Sequence, residues 1–166
     1  LGVNGAGKTT LLLHLNGVHL PQKGRVLIDG IPSATNTLPK LRQKVGMVFQ
    51  DPDDQVVGMT VIEDVCYGLR QMGLEESEVR LRAESALTTV GLREKMDRAP
   101  FALSRGERKR AAIAGVLAVG ADILVFDEPM ASLDPAGKDE IAVLLQDLHL
   151  EGRTIIAATH DVDFAA

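Results

Sequence analysis

Gly2-Val3-Asn4-Gly5-Ala6-Gly7-Lys8-Thr9 opens the sequence and fits the pattern GxxxxGK[ST]. Glycines at these positions let successive backbone N–H groups fold around the phosphates of a nucleotide. A helix that begins at the lysine adds the positive end of its dipole to the same site. We expect Lys8 to reach the β and γ phosphates as a point charge and the Thr9 hydroxyl to bind Mg²⁺. This stretch therefore predicts a phosphate-binding loop.

The loop lies very close to the beginning of the sequence. In folds that use such a loop, a buried strand leads into the glycines, yet only Leu1 precedes Gly2 and the first residue is not Met. We therefore expect a fragment that lacks its N-terminal strands. A fragment of this kind is expected to be inactive and prone to aggregate, because the missing strand leaves sheet edges unpaired.

Size and composition indicate one globular domain. The 166 residues suffice for a substantial core. Because 23 Asp and Glu residues outnumber 18 Lys and Arg residues, the net charge of -5 gives no electrostatic footprint for a nucleic acid. The sole cysteine, Cys66, has apolar neighbours that favour a buried packing role over a reactive thiol. The run 111–121 is about half as long as a membrane span, and nothing resembles a cleavable leader.

Short apolar runs predict strands between turn residues. Two runs rich in β-branched residues predict strands at 25–30 and 45–49. The near-continuous apolar run 122–126 is typical of a strand in a parallel sheet that is covered on both faces. Residues 154–159 form the last predicted strand. These strands alternate with helices, so the predicted fold is α/β with a mainly parallel sheet and a phosphate loop.

Helical spacing predicts the remaining elements. A leucine-rich segment at 11–15 indicates a short helix that Gly17 can end. From about residue 60 the pattern becomes helical and predicts a helical insertion. A long helix is predicted over 104–119. The pair Asp134-Pro135 is a good N-cap and first turn for another helix, whose leucines repeat at core-facing spacing.

Acidic residues stand at the end of one predicted strand. Asp127 and Glu128 directly follow the apolar residues 123–126. Taken alone, they would equally suit the solvated end of a buried strand. Combined with a phosphate loop, they predict that Asp127 holds the hydration shell of Mg²⁺ and that Glu128 polarises an attacking water as a general base.

Two further polar residues follow other predicted strands. An amide at Gln50 would be able to touch Mg²⁺ and the water, and His160 would be able to donate to a γ-phosphate. A simpler alternative for His160 is a polar cap on the last strand. Neither residue decides the function without the fold.

Leu103-Ser104-Arg105-Gly106-Glu107-Arg108-Lys109-Arg110 completes a set of motifs. With it, nearly the whole chain resembles the ATP-binding subunits of ABC transporters, whose motifs occur here in the family's order. The fold implied is a P-loop NTPase with a helical insertion subdomain, and the ligands implied are ATP and Mg²⁺. The resemblance implies nucleotide contacts from Asn4, Gly5, Ala6, Gly7, Lys8, Thr9, Thr10, Gln50, Ser104, Gly106, Glu107 and Asp134, metal contacts from Thr9, Gln50 and Asp127, and catalytic roles for Glu128, His160 and Lys8.

The signature segment departs from the family pattern LSGGQ at two positions. Glu107 in place of Gln is a familiar variant among importers, whereas Arg105 stands where the first glycine is expected. An arginine there would either crowd the phosphate of the opposing subunit or add a cation that reaches it. We expect Arg108 and Lys109 to lie on a solvated helix face.

A narrower resemblance links the chain to the ATPase subunits of energy-coupling-factor importers, closest to the cobalt and nickel type. It rests on residues 49–55, 111–118 and 158–164. In that family a groove near residues 53–55 receives coupling helices of a membrane subunit. On local chemistry alone, the same residues would be an ordinary Asx and proline turn.

The resemblance implies an ATPase that dimerises head to tail with a second ABC ATPase subunit and powers import through transmembrane subunits. It would work at the cytoplasmic face of the cell membrane and bind no nucleic acid. We expect an ATP-binding core formed by 1–57 and 116–166 and a helical subdomain formed by 58–115.

Two alternatives remain open at this point. One is an ABC protein that acts on ribosomes or DNA, although such proteins usually carry paired cassettes or long coiled-coil insertions. The other is a partner subunit that binds nucleotide but hydrolyses it poorly, which Arg105 motivates. These residues do not identify the imported substrate. The residue that stacks on adenine in the family is expected upstream of Leu1.

Overall fold

The structure is a computed structural model, and it describes residues 2–3, 5–161 and 164 of the chain. Its helices and strands are, in chain order, α1 (Lys8–Leu15), β1 (Leu27–Ile28), β2 (Ile31–Pro32), α2 (Leu38–Lys44), β3 (Val45–Val48), α3 (Val61–Gln71), α4 (Glu76–Thr89), α5 (Arg105–Ala118), β4 (Ile123–Asp127), α6 (Pro135–Leu150) and β5 (Thr154–Ala158). Short 3₁₀ turns lie at Pro52–Asp54, Arg93–Lys95 and Pro100–Ala102.

A parallel sheet with the strand order β3-β4-β5 forms the centre of the fold. Val48 pairs with Phe126, and Asp127 pairs with Ala158, so the carboxyl ends of the three strands meet at one edge. This edge is where ligands bind in open α/β sheets. The predicted α/β fold with a parallel sheet is confirmed.

Both faces of the sheet are covered. Leu124 and Phe126 point into a large apolar cluster with α3, α4, α5 and α6, whereas Val125 points into a smaller cluster with α1 and α2. All three side chains are 0% exposed. This two-sided burial explains why the strand reads as a continuous apolar run rather than as an alternating one.

The helical segment shares the larger cluster with the sheet. Helices α3, α4 and α5 pack against one another through fully buried side chains, which include Leu69, Leu87 and Ile113. The Thr60 side chain and Glu63 form a capping box that starts α3. Cys66 is buried in this cluster, as its apolar neighbours predicted. The division into a core and a helical subdomain stays a prediction.

The strand predicted at 25–30, which closes on a turn, is present at Leu27–Ile28 as the first strand of a hairpin. Leu27–Ile28 pairs antiparallel with Ile31–Pro32 across Asp29 and Gly30. These two turn residues have φ angles of 48° and 78°, which is the left-handed pair that a tight hairpin turn requires. The predicted strand and its turn are therefore confirmed, whereas the second strand of the hairpin was not predicted, although Asp-Gly is a recognised hairpin signal.

The helix α2 was not predicted from the sequence, and the predicted strand 45–49 ends at Val48. Leu41 of α2 is 0% exposed and lies in the smaller apolar cluster. The predicted cap of α6 is confirmed, because the Asp134 carboxylate accepts a hydrogen bond from the Gly137 N–H at 2.9 Å. Within the described part of the chain, no helix is both long enough and apolar enough to cross a membrane.

Candidate functional site

The glycine loop adopts a conformation that requires glycine at two positions. Gly5 and Gly7 have φ angles of 81° and 83°, and a Cβ placed at either position would meet no atom within 4 Å. Backbone conformation therefore explains these glycines, and the space beside them is open. Gly7 is the N-cap of α1, whose first N–H groups have no partner within the helix. The predicted contact Asn4 lies outside the described residues.

A cavity of about 380 Å³ lies between the loop and the carboxyl edge of the sheet. Four segments line it: loop residues 5–10, Gln50 after β3, Asp127 and Glu128 at the end of β4, and His160 after β5. The structure thus brings together chain segments that are far apart in the sequence. It does so because the three parallel strands deliver their following residues to one edge.

Thr9, Gln50 and Asp127 share one wall of this cavity. The Thr9 hydroxyl donates to Asp127 Oδ2 at 2.6 Å. The other carboxylate oxygen of Asp127, Oδ1, is buried and has no hydrogen-bond partner among the described residues. All three residues also line a neighbouring cavity of about 320 Å³. Hydroxyl, amide and carboxylate oxygens are ligands that Mg²⁺ accepts, so this wall fits a divalent cation.

Glu128 is held by two cationic or polar neighbours. The Lys8 ammonium lies 3.3 Å from Glu128 Oε1 and also donates to the Gly2 carbonyl at 2.6 Å. His160 contacts Glu128 Oε2 through Nδ1 at 2.9 Å and through its backbone N–H at 3.3 Å. Lys8, Glu128 and His160, which were predicted as the catalytic set, thus lie in direct contact.

The Glu128 carboxyl is ionised at neutral pH. Burial by itself raises the pKa of this carboxyl, but the hydrogen bonds from the His160 ring and backbone, together with Lys8, outweigh burial and leave the pKa below its ordinary value. An ionised carboxylate at this position can accept a proton from water.

The backbone of Glu128 is also unusual. Its φ angle is 47°, in the left-handed region that residues with a Cβ rarely occupy. Such conformations persist only when the surroundings hold them, and they cluster at functional sites.

The signature residues lie away from this cavity. Ser104 caps α5, and Ser104 and Glu107 exchange backbone-to-side-chain hydrogen bonds in a capping box. A Cβ on Gly106 would lie 4.0 Å from the Gly137 Cα in the first turn of α6, which Asp134 caps. The structure therefore places the starts of α5 and α6 side by side. Among the residues that the structure describes, the lining of the phosphate-loop cavity does not include Ser104, Gly106, Glu107 or Asp134.

Arg105 is exposed and lines the neighbouring cavity of about 320 Å³. That cavity also includes Asp51 and Asp54, which follow β3 in the same chain. Arg105, at the first signature glycine position, therefore shares a cavity lining with two acidic residues of its own chain.

The prediction that Arg108 and Lys109 lie on a solvated face was wrong. The Arg108 Nε lies 2.9 Å from Asp53 Oδ1. Lys109 is only 1% exposed, and its ammonium donates to the Gln50 carbonyl at 3.0 Å and to the Glu128 carbonyl at 3.4 Å. Ile113, four residues further along α5, is also fully buried. This helical spacing indicates that position 109 lies on the buried face of α5, which the surrounding cationic residues made hard to recognise.

Burial lowers the pKa of Lys109 to about 8. Nearby carboxylates, with Asp51 as the strongest, oppose this change. The ammonium therefore remains protonated at neutral pH, with its hydrogens directed at backbone carbonyls instead of at water.

Lys95 forms an ion pair with Glu107 and, together with the backbone N–H of Ser104, holds the pKa of that carboxyl below its ordinary value. We expect Lys95→Met to lower the free energy of unfolding at pH 7 by about 0.5 kcal/mol, the size of a pair partly screened by solvent. The pKa of Glu107 is lower in the folded protein than in the unfolded chain. The ion pair therefore stabilises the fold at pH values above the ordinary pKa of a glutamate, and this stabilisation is lost as the pH falls through the pKa of Glu107 in the folded protein.

The measurement is urea unfolding of the original protein and of Lys95→Met at pH 7 and below about pH 3. Lys40→Met, which removes an exposed lysine of α2, is the control. A difference in unfolding free energy that stays the same at both pH values would show that Lys95 acts through packing instead of charge.

The geometry defines a site of the P-loop class, with a glycine loop at the start of a helix that fits nucleotide phosphates. Comparisons with known proteins agree. The model of the family described as "ABC transporter" matches residues 1–131. The "Energy-coupling factor transporter ATP-binding protein EcfA" of Carboxydothermus hydrogenoformans is 50% identical over 99% of this chain and 61% of its own length. EcfA2 of Methanospirillum hungatei is 50% identical over 99% of this chain and 42% of its own length.

Solved structures show the same likeness. The cbiO1 protein from Clostridium perfringens, described as part of the ABC transporter complex cbiONQ, superposes with a TM-score of 0.88 at 44% identity, covering 99% of this chain and 66% of its own. An ATP-binding cassette solved as a dimer in a post-hydrolysis state, bound to ADP and Pi, has a TM-score of 0.85 at 31% identity, covering 99% of this chain and 74% of its own.

The chain belongs to the ABC transporter family of ATP-binding proteins. It spans less than two thirds of the length of the EcfA and EcfA2 relatives, at 61% and 42%.

Proposed function

We propose that the protein hydrolyses ATP and thereby powers the import of a substrate through transmembrane partner subunits. The observation that carries this proposal is the convergence of the glycine loop, Thr9, Asp127, Glu128 and His160 around one cavity. ATP supplies the phosphates for which the loop and the start of α1 are shaped.

Binding of the nucleotide changes the partner of Lys8. In the free protein the ammonium is shared by Glu128 and the Gly2 carbonyl. The β and γ phosphates compete for the same cation, because together they carry more negative charge than a single carboxylate. Lys8 therefore turns from Glu128 to the phosphates, and one Glu128 oxygen becomes available for water.

Glu128 then accepts a proton from the water that attacks the γ-phosphate, and His160 holds the carboxylate through the contact at 2.9 Å. Thr9, Gln50 and Asp127 are the residues that would hold Mg²⁺. The cation, when bound, neutralises the charge on the β and γ phosphates. Positioning and charge neutralisation account for catalysis, since no covalent step is assigned to the protein.

A head-to-tail dimer explains where the signature residues lie. Ser104, Gly106 and Glu107 are remote from the cavity of their own chain, but α5 begins with exposed polar groups beside the start of α6. We propose that these residues, with Asp134, contact the nucleotide held by a second ABC ATPase subunit. The similar cassette that was solved as a dimer bound to ADP and Pi supports dimerisation.

A groove next to β3 is the proposed docking place for a membrane subunit. It has a volume of about 350 Å³ and includes Met47, Phe49, Val57 and Tyr67 in its lining. Val57 is 62% exposed and Tyr67 is 52% exposed, which is typical of a surface that a partner covers. We propose that an amphipathic helix of a transmembrane importer subunit lies here, at the cytoplasmic face of the membrane.

The finer proposal is a cobalt or nickel importer of the energy-coupling-factor type. It is supported by the resemblance of residues 49–55, 111–118 and 158–164 and by the names of the EcfA and cbiO1 relatives. Transport assays with radioactive cobalt or nickel test the cargo separately from ATP hydrolysis.

Co-purification tests the class of partner. We expect the full-length protein, expressed from its native operon, to co-purify in detergent with a multi-span membrane protein and to hydrolyse ATP. Co-sedimentation with ribosomes or retention on DNA, without a membrane subunit, would instead support the alternative of an ABC protein that acts on ribosomes or DNA.

Arg105 is the residue that motivates the alternative of a partner subunit that hydrolyses ATP poorly. We expect Arg105→Gly to change kcat by less than about threefold, because Arg105 is exposed in a cavity that it shares with Asp51 and Asp54 of its own chain and need not crowd a phosphate. Steady-state phosphate release from the dimer measures this. A gain of about tenfold or more would show that the arginine suppresses turnover.

A further inference from the structure

Lys109 is the largest side chain among those that are fully buried in the described residues. Burying an ammonium is unfavourable unless polar groups replace the lost water. Here the replacements are two backbone carbonyls, those of Gln50 and Glu128. Gln50 follows β3, and Glu128 directly follows β4. The Lys109 ammonium of α5 therefore links the carboxyl ends of two neighbouring strands.

The Glu128 carbonyl belongs to a peptide in an unfavourable conformation. With φ at 47°, this residue needs external contacts to remain in the left-handed region. Its N–H donates to the Ala158 carbonyl at 2.8 Å, and its carbonyl accepts from the Ala131 N–H at 3.0 Å. Lys109 adds a contact to this carbonyl that comes from a different helix.

The Gln50 carbonyl is the second backbone group that accepts a hydrogen bond from Lys109. Gln50 lies between β3 and the 3₁₀ turn Pro52–Asp54, outside the helices and strands. The Gln55 amide ties down the neighbouring segment by contacting the Phe49 N–H and the Met47 carbonyl, at 2.8 and 3.0 Å. At Gln50 itself, the contact at 3.0 Å comes from Lys109.

We propose that Lys109 is a positioning residue that sets the backbone of Gln50 and Glu128, and hence aims the amide and the carboxylate at the nucleotide site. The inference rests on the proposed ATP hydrolysis. Lys109 also lies in the second turn of α5, the helix whose first turn holds the signature residues. Lys109 therefore links the helix that carries the signature residues to the backbone of Glu128.

Lys109→Met tests the proposal in the full-length protein, because Met keeps the apolar length of the side chain and removes the donor. We expect kcat to fall at least about tenfold, as misplacement of a catalytic group by about 1 Å can do, while the Kd for ATP changes by less than about threefold. Lys44→Met is the matched control, because Lys44 forms ion pairs with Asp29 and Asp122 at the opposite edge of the sheet.

A second readout does not depend on activity. Hydrogen exchange of the free protein is expected to quicken about tenfold or more at the amides of Glu128 and Ala131 in Lys109→Met, with little change in α4. In a double-mutant cycle, Lys109→Met is expected to add little to the loss of kcat in Glu128→Gln, because both changes act through the same carboxylate.

Three results would contradict the proposed role of Lys109. Unchanged exchange and kcat, losses that add fully in the cycle, or equal losses of ATP binding and turnover would each overturn the proposal. Lys109→Gln, which keeps an amide donor, is the second variant, and failure of both variants to fold would show that Lys109 serves stability alone. If the original protein hydrolyses no ATP, the proposed function fails, and the exchange experiment still tests Lys109.

Discussion

Glu128→Gln is expected to lower kcat for ATP hydrolysis by about 10²-fold to 10⁴-fold, which is the contribution of a positioned general base. The amide has nearly the same shape as the carboxylate and can still contact His160, but it does not accept a proton from water. The affinity for ATP is expected to stay the same or to increase, because Lys8 loses the carboxylate that lies 3.3 Å away in the free protein.

Phosphate release and ATP binding, measured on the same purified full-length preparation, check this prediction. Glu140→Gln is the matched control, since Glu140 is an exposed residue of α6 that pairs with Arg110. A variant of Glu128 that hydrolyses ATP at the original rate would show that another group acts as the base.

Lys8→Met is expected to weaken both ATP binding and turnover. A hydrogen bond to a charged group contributes about 1.5–3 kcal/mol, so the Kd for ATP is expected to rise about 10-fold to 100-fold. The substitution also removes a cation that helps to lower the pKa of Glu128. Turnover at saturating ATP therefore falls as well, because the charge on the γ-phosphate is less neutralised.

Titration of a fluorescent ATP analogue and of ATP itself measures the change in affinity. Lys44→Met, which removes a cation from the opposite edge of the sheet, is expected to bind ATP normally. An unchanged Kd in Lys8→Met would show that the nucleotide does not bind at the glycine loop, and the assignment of the cavity would be wrong.

The parallel sheet and the polar residues at its carboxyl edge were predictable because their signals are local. Residues 123–126 are apolar on both faces, and polar residues follow β3 at Gln50 and β5 at His160, where the parallel register brings them to one edge. Period and composition specify such strands, and parallel pairing then fixes where the following residues lie. The phosphate loop was predictable from glycine positions that the left-handed φ angles require.

Other features depend on tertiary contacts that no local pattern reports. Lys109 reads as a surface residue because most lysines are exposed, whereas the carbonyls of Gln50 and Glu128, together with nearby carboxylates, make its burial acceptable. The left-handed conformation of Glu128 is likewise held by distant groups, among them the Ala158 carbonyl. The helix α2 escaped prediction because its stability depends on burying Leu41 against the sheet.

Signature residues present a different case. Their local structure was predictable, since Ser104 and Glu107 have the spacing of a capping box. Their proposed ligand lies in another subunit, so the geometry of one chain places them beside α6 and remote from the cavity. The proposed contact between the signature residues and a nucleotide can therefore be tested only with the dimer.

One crystal structure tests the central claim most directly: the full-length Glu128→Gln variant grown with ATP and Mg²⁺. The account predicts electron density for the triphosphate along residues 5–10, with the Lys8 ammonium on the β and γ phosphates and a cation at Thr9 next to Asp127. Nucleotide density at any other place on the molecule, with Lys8 still paired to position 128, would contradict it.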